Sequence, residues 1–196
     1  MSGILFLDRD GVLNDKAPEG AYVISVAALR LSHGVPEAIA VLRQELPGVP
    51  LVVVTNQRGI ARGLVSAATV DDIDAAILAA VRSAGGELDA FEVCPHDLDS
   101  CDCRKPGVGM FRRVLGRYPG TTGSDSVVVG DSLSDLQAAA VLGARAALVG
   151  PTARRAQVRA AAAALGVPVA AESGSLSELV AAGHLQDWLS RAAVSA

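Results

Sequence analysis

Residues Ile4–Asn14 read ILFLDRDGVLN. The first four are apolar at every position, with no alternation. A run this short and this uniformly apolar fits a strand covered on both faces, as in a parallel sheet packed between helices. The run stops at Asp8-Arg9-Asp10-Gly11. Two carboxylates therefore sit just past the carboxyl end of a buried strand, and Gly11 allows a sharp turn behind them.

Working outward, five more runs share this character: LVVVT (51–55), FEVC (91–94), SVVVG (126–130), AALVG (146–150) and VPVAA (167–171). Longer, alanine-rich stretches at 34–45, 66–84, 107–117, 134–142, 152–165 and 175–192 are expected as helices, the last broken near Gly183. Strands alternating with helices predict an α/β fold, a doubly wound open parallel sheet. The intervals between strands leave no room for a large cap domain. The chain is expected to form one domain over 1–196, with 151–196 a further α/β turn and closing helix.

Composition narrows the function. The chain has 196 residues, is 51% hydrophobic and 19% charged, and carries a net charge of -4. Aromatic residues make up 3%, so there is neither a basic stripe nor a stacking platform for nucleic acid. Mean hydropathy is +0.38, yet no apolar run approaches the roughly 20 residues of a membrane span. MSGILFLDRD lacks the features of a signal peptide, and a reducing, cytoplasmic setting is expected.

In such a sheet the ligand lies outside the carboxyl ends of the strands, so four strand ends matter. Asp8 and Asp10 lie two residues apart, on one side of an extended chain. They suit a divalent cation, or a nucleophile and an acid/base. Thr55 offers a hydroxyl, and Asn56 an amide able to orient a carboxylate. Asp131 is a third carboxylate at the same sheet edge. Ser134 and Asp135 are explained by the helix start that follows it. Lys105 supplies a cation. A metal held by Asp8 and Asp131, beside a nucleophile, an acid/base, a hydroxyl and a lysine, suits phosphoryl transfer.

The second cluster is CPHDLDSCDCRKP, residues 94–106, which contains all three cysteines of the chain. Cys94-x-His96 and Cys101-x-Cys103 supply three thiolates and an imidazole, a closed tetrahedral set for structural zinc. In a reducing setting a metal is the better reading than a disulfide. The zinc would fix Arg104 and Lys105 at the end of an otherwise mobile loop.

Together, DRDG, the strand-end Thr55, Lys105 and GDSLSD (130–135) resemble the haloacid dehalogenase superfamily of phosphatases. FLDRDGVLN, VVVTNQRGIARG, CPHDLDSCDCRKPGVGM and VVVGDSLSDLQAA are most similar to its zinc-containing, capless heptose bisphosphate phosphatases. The resemblance spans residues 3 to 150 and implies a doubly wound Rossmann-like sheet. It implies that Asp8 is the nucleophile, Asp10 the general acid and base, and Thr55 and Lys105 the holders of the phosphoryl oxygens. It places magnesium on Asp8, the backbone carbonyl of Asp10, and Asp131. It implies substrate contacts from Asn56, Gln57, Arg58 and Arg104, a small-molecule sugar phosphate as substrate, and a monomer. A relative acting on histidinol phosphate shares the DRDG start and the zinc loop, and a catalytically silent zinc protein is a third reading. GIARG after Gln57 and Gly109-Met110 favour the heptose substrate. The 15–21 segment is longer than usual, and Arg58 stands where a small residue is common. His33 and His184 are expected at the surface, Trp188 as a core anchor, and Arg154, Arg155 and Arg159 as a solvated helix face.

Overall fold

The computed structural model of the chain describes residues 3–18 and 20–194; Glu19, within the long 15–21 segment, lies outside them. The apolar runs form β1 (Leu5–Leu7), β2 (Leu51–Asn56), β3 (Ala90–Cys94), β4 (Val127–Gly130), β5 (Arg145–Val149) and β6 (Ala171–Ser173). All pair in parallel, in the order β3-β2-β1-β4-β5-β6. The connecting helices are α1 (Val35–Glu45), α2 (Ala67–Ser83), α3 (Gly109–Leu115), α4 (Leu133–Leu142), α5 (Thr152–Ala164), α6 (Leu176–Ala181) and α7 (His184–Val194).

Successive side chains of a strand point to opposite faces, and both faces are covered. Leu5, Leu7, Leu51, Val53, Val127 and Val129 pack with apolar residues of α1, α2, α6 and α7. Ile4, Phe6, Val52, Val54 and Val128 pack on the other side with residues of α3, α4 and α5. Phe6 meets Phe111 of α3 edge-on, with ring centroids 4.9 Å apart. This two-sided burial is why β1 and β4, at the centre of the sheet, are apolar throughout.

One strand is displaced from its expected place. Val167 and Val169 do not pair as a strand; they pack half-buried on the α3–α5 side. The end of α5 explains this. Gly166 is left-handed (φ 66°), and the Val167 N–H donates back to the Ala162 carbonyl at 2.9 Å. That closes the helix in a Schellman-like turn, so the chain first bonds to β5 at Ala170, whose N–H donates to the Ala146 carbonyl at 2.8 Å. The predicted break at Gly183 is present, with φ 76°. Trp188 packs half-buried against the core, stacked on the exposed His184 at 5.8 Å.

The order of the sheet positions the site. From β1 the chain moves outward to β2 and β3, then crosses to the other side of β1 for β4, β5 and β6. Neighbouring crossovers diverge at β1 and open a crevice at its carboxyl end. Asp8 lies there.

Candidate active site

Asp8 follows β1 and is buried. Its Oδ1 accepts from the Arg9 N–H and from Lys105 Nζ, both at 2.8 Å. Lys105 reaches it from the loop after the cysteines, while also donating to the Val54 carbonyl at 2.8 Å and pairing with Asp135 at 2.6 Å. Burial pushes the Asp8 carboxyl up to about 7; Lys105 pulls it down, and Asp135 and Asp131 add to the rise. Burial works against the charge of Lys105, but Asp135 and Asp8 outweigh it and hold the ammonium above its ordinary value. The lysine is thus a fixed cation.

Asp10 turns back toward the same crevice and is held by three donors. Gln57 Nε2 donates to its Oδ2 at 2.7 Å, Asn14 Nδ2 to its Oδ1 at 3.0 Å, and one Arg9 amino group lies at 3.2 and 3.3 Å. The same Gln57 amide donates to Thr55 Oγ1 at 2.8 Å. Gln57 is almost fully buried. Its amide thus ties Asp10 to Thr55 across the end of β2.

Asn56 is also engaged. Its side chain accepts from the Lys105 N–H at 3.0 Å and donates to the Lys105 carbonyl at 3.1 Å. This reciprocal pair pins the lysine backbone to the end of β2, while Asn56 still borders the crevice. Arg58 does not border it. Its guanidinium pairs at 2.5 Å with Asp97 of the cysteine loop. The pair ties the loop after β2 to the cysteine loop.

Asp131 follows β4, and both its oxygens accept from Lys16 Nζ, at 2.9 and 2.6 Å. Burial raises its carboxyl, and Lys16 opposes the rise. Gly11 is required here: at φ 96°, an added Cβ would lie 2.7 Å from an Asp131 oxygen. Asp135 forms a capping box with Ser132 at the start of α4, as its position suggested. It is also fully buried and paired with Lys105, so it belongs to the site. Oxygens of Asp8, Asp131 and Asp135 lie within 4.8 Å of one another. Three buried carboxylates with hard oxygen donors fit a divalent cation such as magnesium.

The four expected zinc ligands meet. Cys103 Sγ lies 3.3 Å from Cys94 Sγ, 3.2 Å from Cys101 Sγ and 3.2 Å from His96 Nδ1. Cys94 Sγ is 3.6 Å from Cys101 Sγ and 3.8 Å from His96 Nδ1. A tetrahedral zinc with ordinary bond lengths has ligand–ligand edges of roughly 3.5–3.8 Å, close to these. The cysteines are free thiols, and burial pushes that of Cys103 up to about 12. A bound cation would reverse that shift.

The crevice has a volume of about 420 Å³, and Asp8, Asp10, Thr55, Asn56, Arg104 and Lys105 line it together with Lys16, Tyr22 and Arg154. Arg104 borders it, and its buried Nη1 has no hydrogen-bond partner among the described residues. Arg154, in the first turn of α5, was expected on a solvated face. It is exposed, as expected, and it also borders the crevice, close enough for its charge to act on Asp131.

Sequence reasoning missed Arg9, Asn14, Lys16, Asp74 and Asp135 as parts of this region. For Asp74 a signal existed: it falls on the apolar stripe Val70, Ile73, Ile77, Val81 of α2, where a carboxylate needs a reason. Among the described residues no helix is long and apolar enough to cross a membrane.

Comparison with known proteins identifies the family. The HAD-hydrolase-like family model matches residues 102–173. The D-glycero-beta-D-manno-heptose-1,7-bisphosphate 7-phosphatase of Neisseria meningitidis is 40% identical over 147 residues, 74% of this chain and 76% of the relative. The corresponding alpha-anomer enzyme of Mycobacterium tuberculosis is 43% identical over 136 residues, 69% of this chain and 70% of the relative. The crystal structure of D,D-heptose 1,7-bisphosphate phosphatase from B. bronchiseptica, complexed with magnesium and phosphate, superposes with a TM-score of 0.81 at 36% identity. That match covers 92% of this chain and 97% of the other.

Proposed function

The chain belongs to the heptose 1,7-bisphosphate 7-phosphatase family of HAD-like hydrolases, and from that premise we propose that it removes the C7 phosphate of D-glycero-D-manno-heptose 1,7-bisphosphate. One observation carries the reading. A buried carboxylate, Asp8, lies against a fixed ammonium at the sheet switch point, with a second carboxylate, Asp10, held beside it by Gln57 and Asn14.

In this reading a carboxylate oxygen of Asp8 attacks phosphorus. The bond from phosphorus to the C7 oxygen breaks, and Asp10 delivers a proton to that oxygen. Asp10 then takes a proton from the water that attacks the aspartyl-phosphate. The bond to Asp8 breaks, and inorganic phosphate is released. Lys105 and Thr55 hold the phosphoryl oxygens. Asp8, Asp131 and the Asp10 backbone carbonyl would hold magnesium, with Asp135 beside them; bound there, it would neutralise charge on the transferring group. Zinc on Cys94, His96, Cys101 and Cys103 would be structural, since four protein ligands leave no open position.

The phosphate that is retained needs cations of its own. Arg104 and Arg154 border the crevice and are available to it. We read the chain as a single cytoplasmic phosphatase domain acting as a monomer; the free thiols support a reducing compartment.

The test is phosphate release with magnesium from both anomers of the heptose 1,7-bisphosphate, compared with histidinol phosphate. Release of one phosphate per heptose, with histidinol phosphate turned over at least 100-fold less efficiently, is the expected result. Preference for histidinol phosphate would overturn the substrate and leave the chemistry standing.

A further inference from the structure

Arg9 stands between the two catalytic aspartates, yet its side chain leaves the crevice and is completely buried. One amino group donates to Asp74 Oδ1 at 2.9 Å. The other lies 3.2 and 3.3 Å from the two oxygens of Asp10. Asp74 is itself buried, in the middle of α2 and on its apolar face. A guanidinium is thus shared between a core helix and the acid/base carboxylate.

Stability alone does not account for this arrangement. A buried ion pair is often matched or surpassed by well-packed apolar residues of similar volume, and the surroundings on α2 are Val70, Ile73 and Ile77. The contacts also have an order. Asp10 receives its short bond from the neutral Gln57 amide at 2.7 Å, whereas Arg9 stands off at 3.2 Å while closing on Asp74 at 2.9 Å. Asp74 draws the guanidinium toward α2. Asp10 is oriented by it without being locked into a short ion pair, and keeps its carboxylate free to exchange a proton with the substrate side.

We propose that Asp74 is a positioning residue for catalysis: it holds Arg9, and Arg9 sets the orientation of Asp10. The proposal rests on the reading of Asp10 as acid and base, but not on the identity of the sugar. Asp74 touches no substrate atom and acts only through Arg9.

The test uses the zinc- and magnesium-loaded protein and two substrates. Turnover of the heptose bisphosphate by Asp74→Asn should fall at least tenfold in kcat, with KM within threefold. The second substrate is p-nitrophenyl phosphate, whose leaving group departs without a proton. The bond from phosphorus to the phenolate oxygen breaks as Asp8 is phosphorylated, with no help from Asp10. Water attack on the aspartyl-phosphate still needs Asp10 as base. The variant should therefore release a burst of about one p-nitrophenolate per active site, followed by a steady rate at least tenfold below that of the natural chain. A structural defect would slow both phases together.

The double variant Arg9→Met with Asp74→Leu replaces the pair by apolar residues and guards against simple unfolding. It should fold with an undiminished thermal midpoint and show the same kcat defect. Natural kcat in either variant, or a slowed rate with no burst, overturns the proposal. If the natural chain hydrolyses p-nitrophenyl phosphate but no heptose bisphosphate, the substrate reading fails and the burst experiment still decides the role of Asp74.

Discussion

At the scale of single residues, Asp8 carries the heaviest expectation. Asp8→Asn removes the nucleophile while keeping a group able to accept from Lys105 and the Arg9 N–H. Turnover should fall on the order of 10³-fold or more, with the far-ultraviolet dichroism unchanged. A protein that merely bound its ligand would change little. Asp74 makes a separate prediction about pH. Burial raises its carboxyl from 3.8 to about 6 despite Arg9, so the folded state holds this proton more tightly than the unfolded chain. The stabilising contribution is complete below about pH 4 and is lost as pH rises through 6. Asp74→Asn has no such proton, so urea unfolding at pH 4 and pH 7 should show the variant gaining on the natural chain by up to about 3 kcal/mol over that window. The two aspartates proposed as catalytic stood out in the sequence because strand ends are informative positions. Arg9 and Asp74 were not, because they are 65 residues apart and only the packing of α2 against the loop after β1 joins them. Asp135 was half-legible: a capping box satisfied every local demand on it, and only the arrival of Lys105 from another loop revealed its second contact.

At the scale of elements, the cysteine loop and α5 each carry a test. The loop places Cys103 two residues before Lys105, and Asn56 fastens Lys105 to β2. Cys101→Ala should lose zinc, measured by metal analysis, and lower kcat by about tenfold or more through misplacement of Arg104 and Lys105. Full turnover without zinc would sink that account. On α5, Arg154 sits in the first turn, where the helix dipole disfavours a cation, and its charge faces the crevice. Arg154→Ala should raise KM for the bisphosphate by about tenfold, the loss of one charge-assisted contact. A heptose carrying only the C7 phosphate should feel the change far less. The ligand set of the loop could be read from spacing alone, since all four residues lie within ten positions. Arg154 could not, because it is an exposed arginine on a solvated helix face, and only the fold brings its charge within reach of Asp131.

At the scale of the molecule, the strand order gathers residues from every part of the chain to one end of β1. Six short apolar runs separated by helices were enough to predict this sheet, because two-sided burial writes itself into uniform apolarity. The misplaced last strand marks the limit of that reasoning: Val167 and Val169 are apolar because they cover a helical layer, not because they pair. The segment after Gly150 is part of the frame. It adds β6 to the sheet edge and supplies Leu176, Leu179, Val180, Leu185 and Leu189 to the core. Burying each such side chain is worth about 1.5–3 kcal/mol, and five together rival the net stability of a domain, about 5–15 kcal/mol. A chain ending at Gly150 should therefore show no cooperative thermal transition by circular dichroism. The gathering of three thiols beside Lys105 has a toxicological side as well. The proposed chemistry uses no sulfur, yet an oxidant or a mercurial that strips the loop would disarm the enzyme two residues from its reacting centre, making a carboxylate phosphatase answer to thiol poisons.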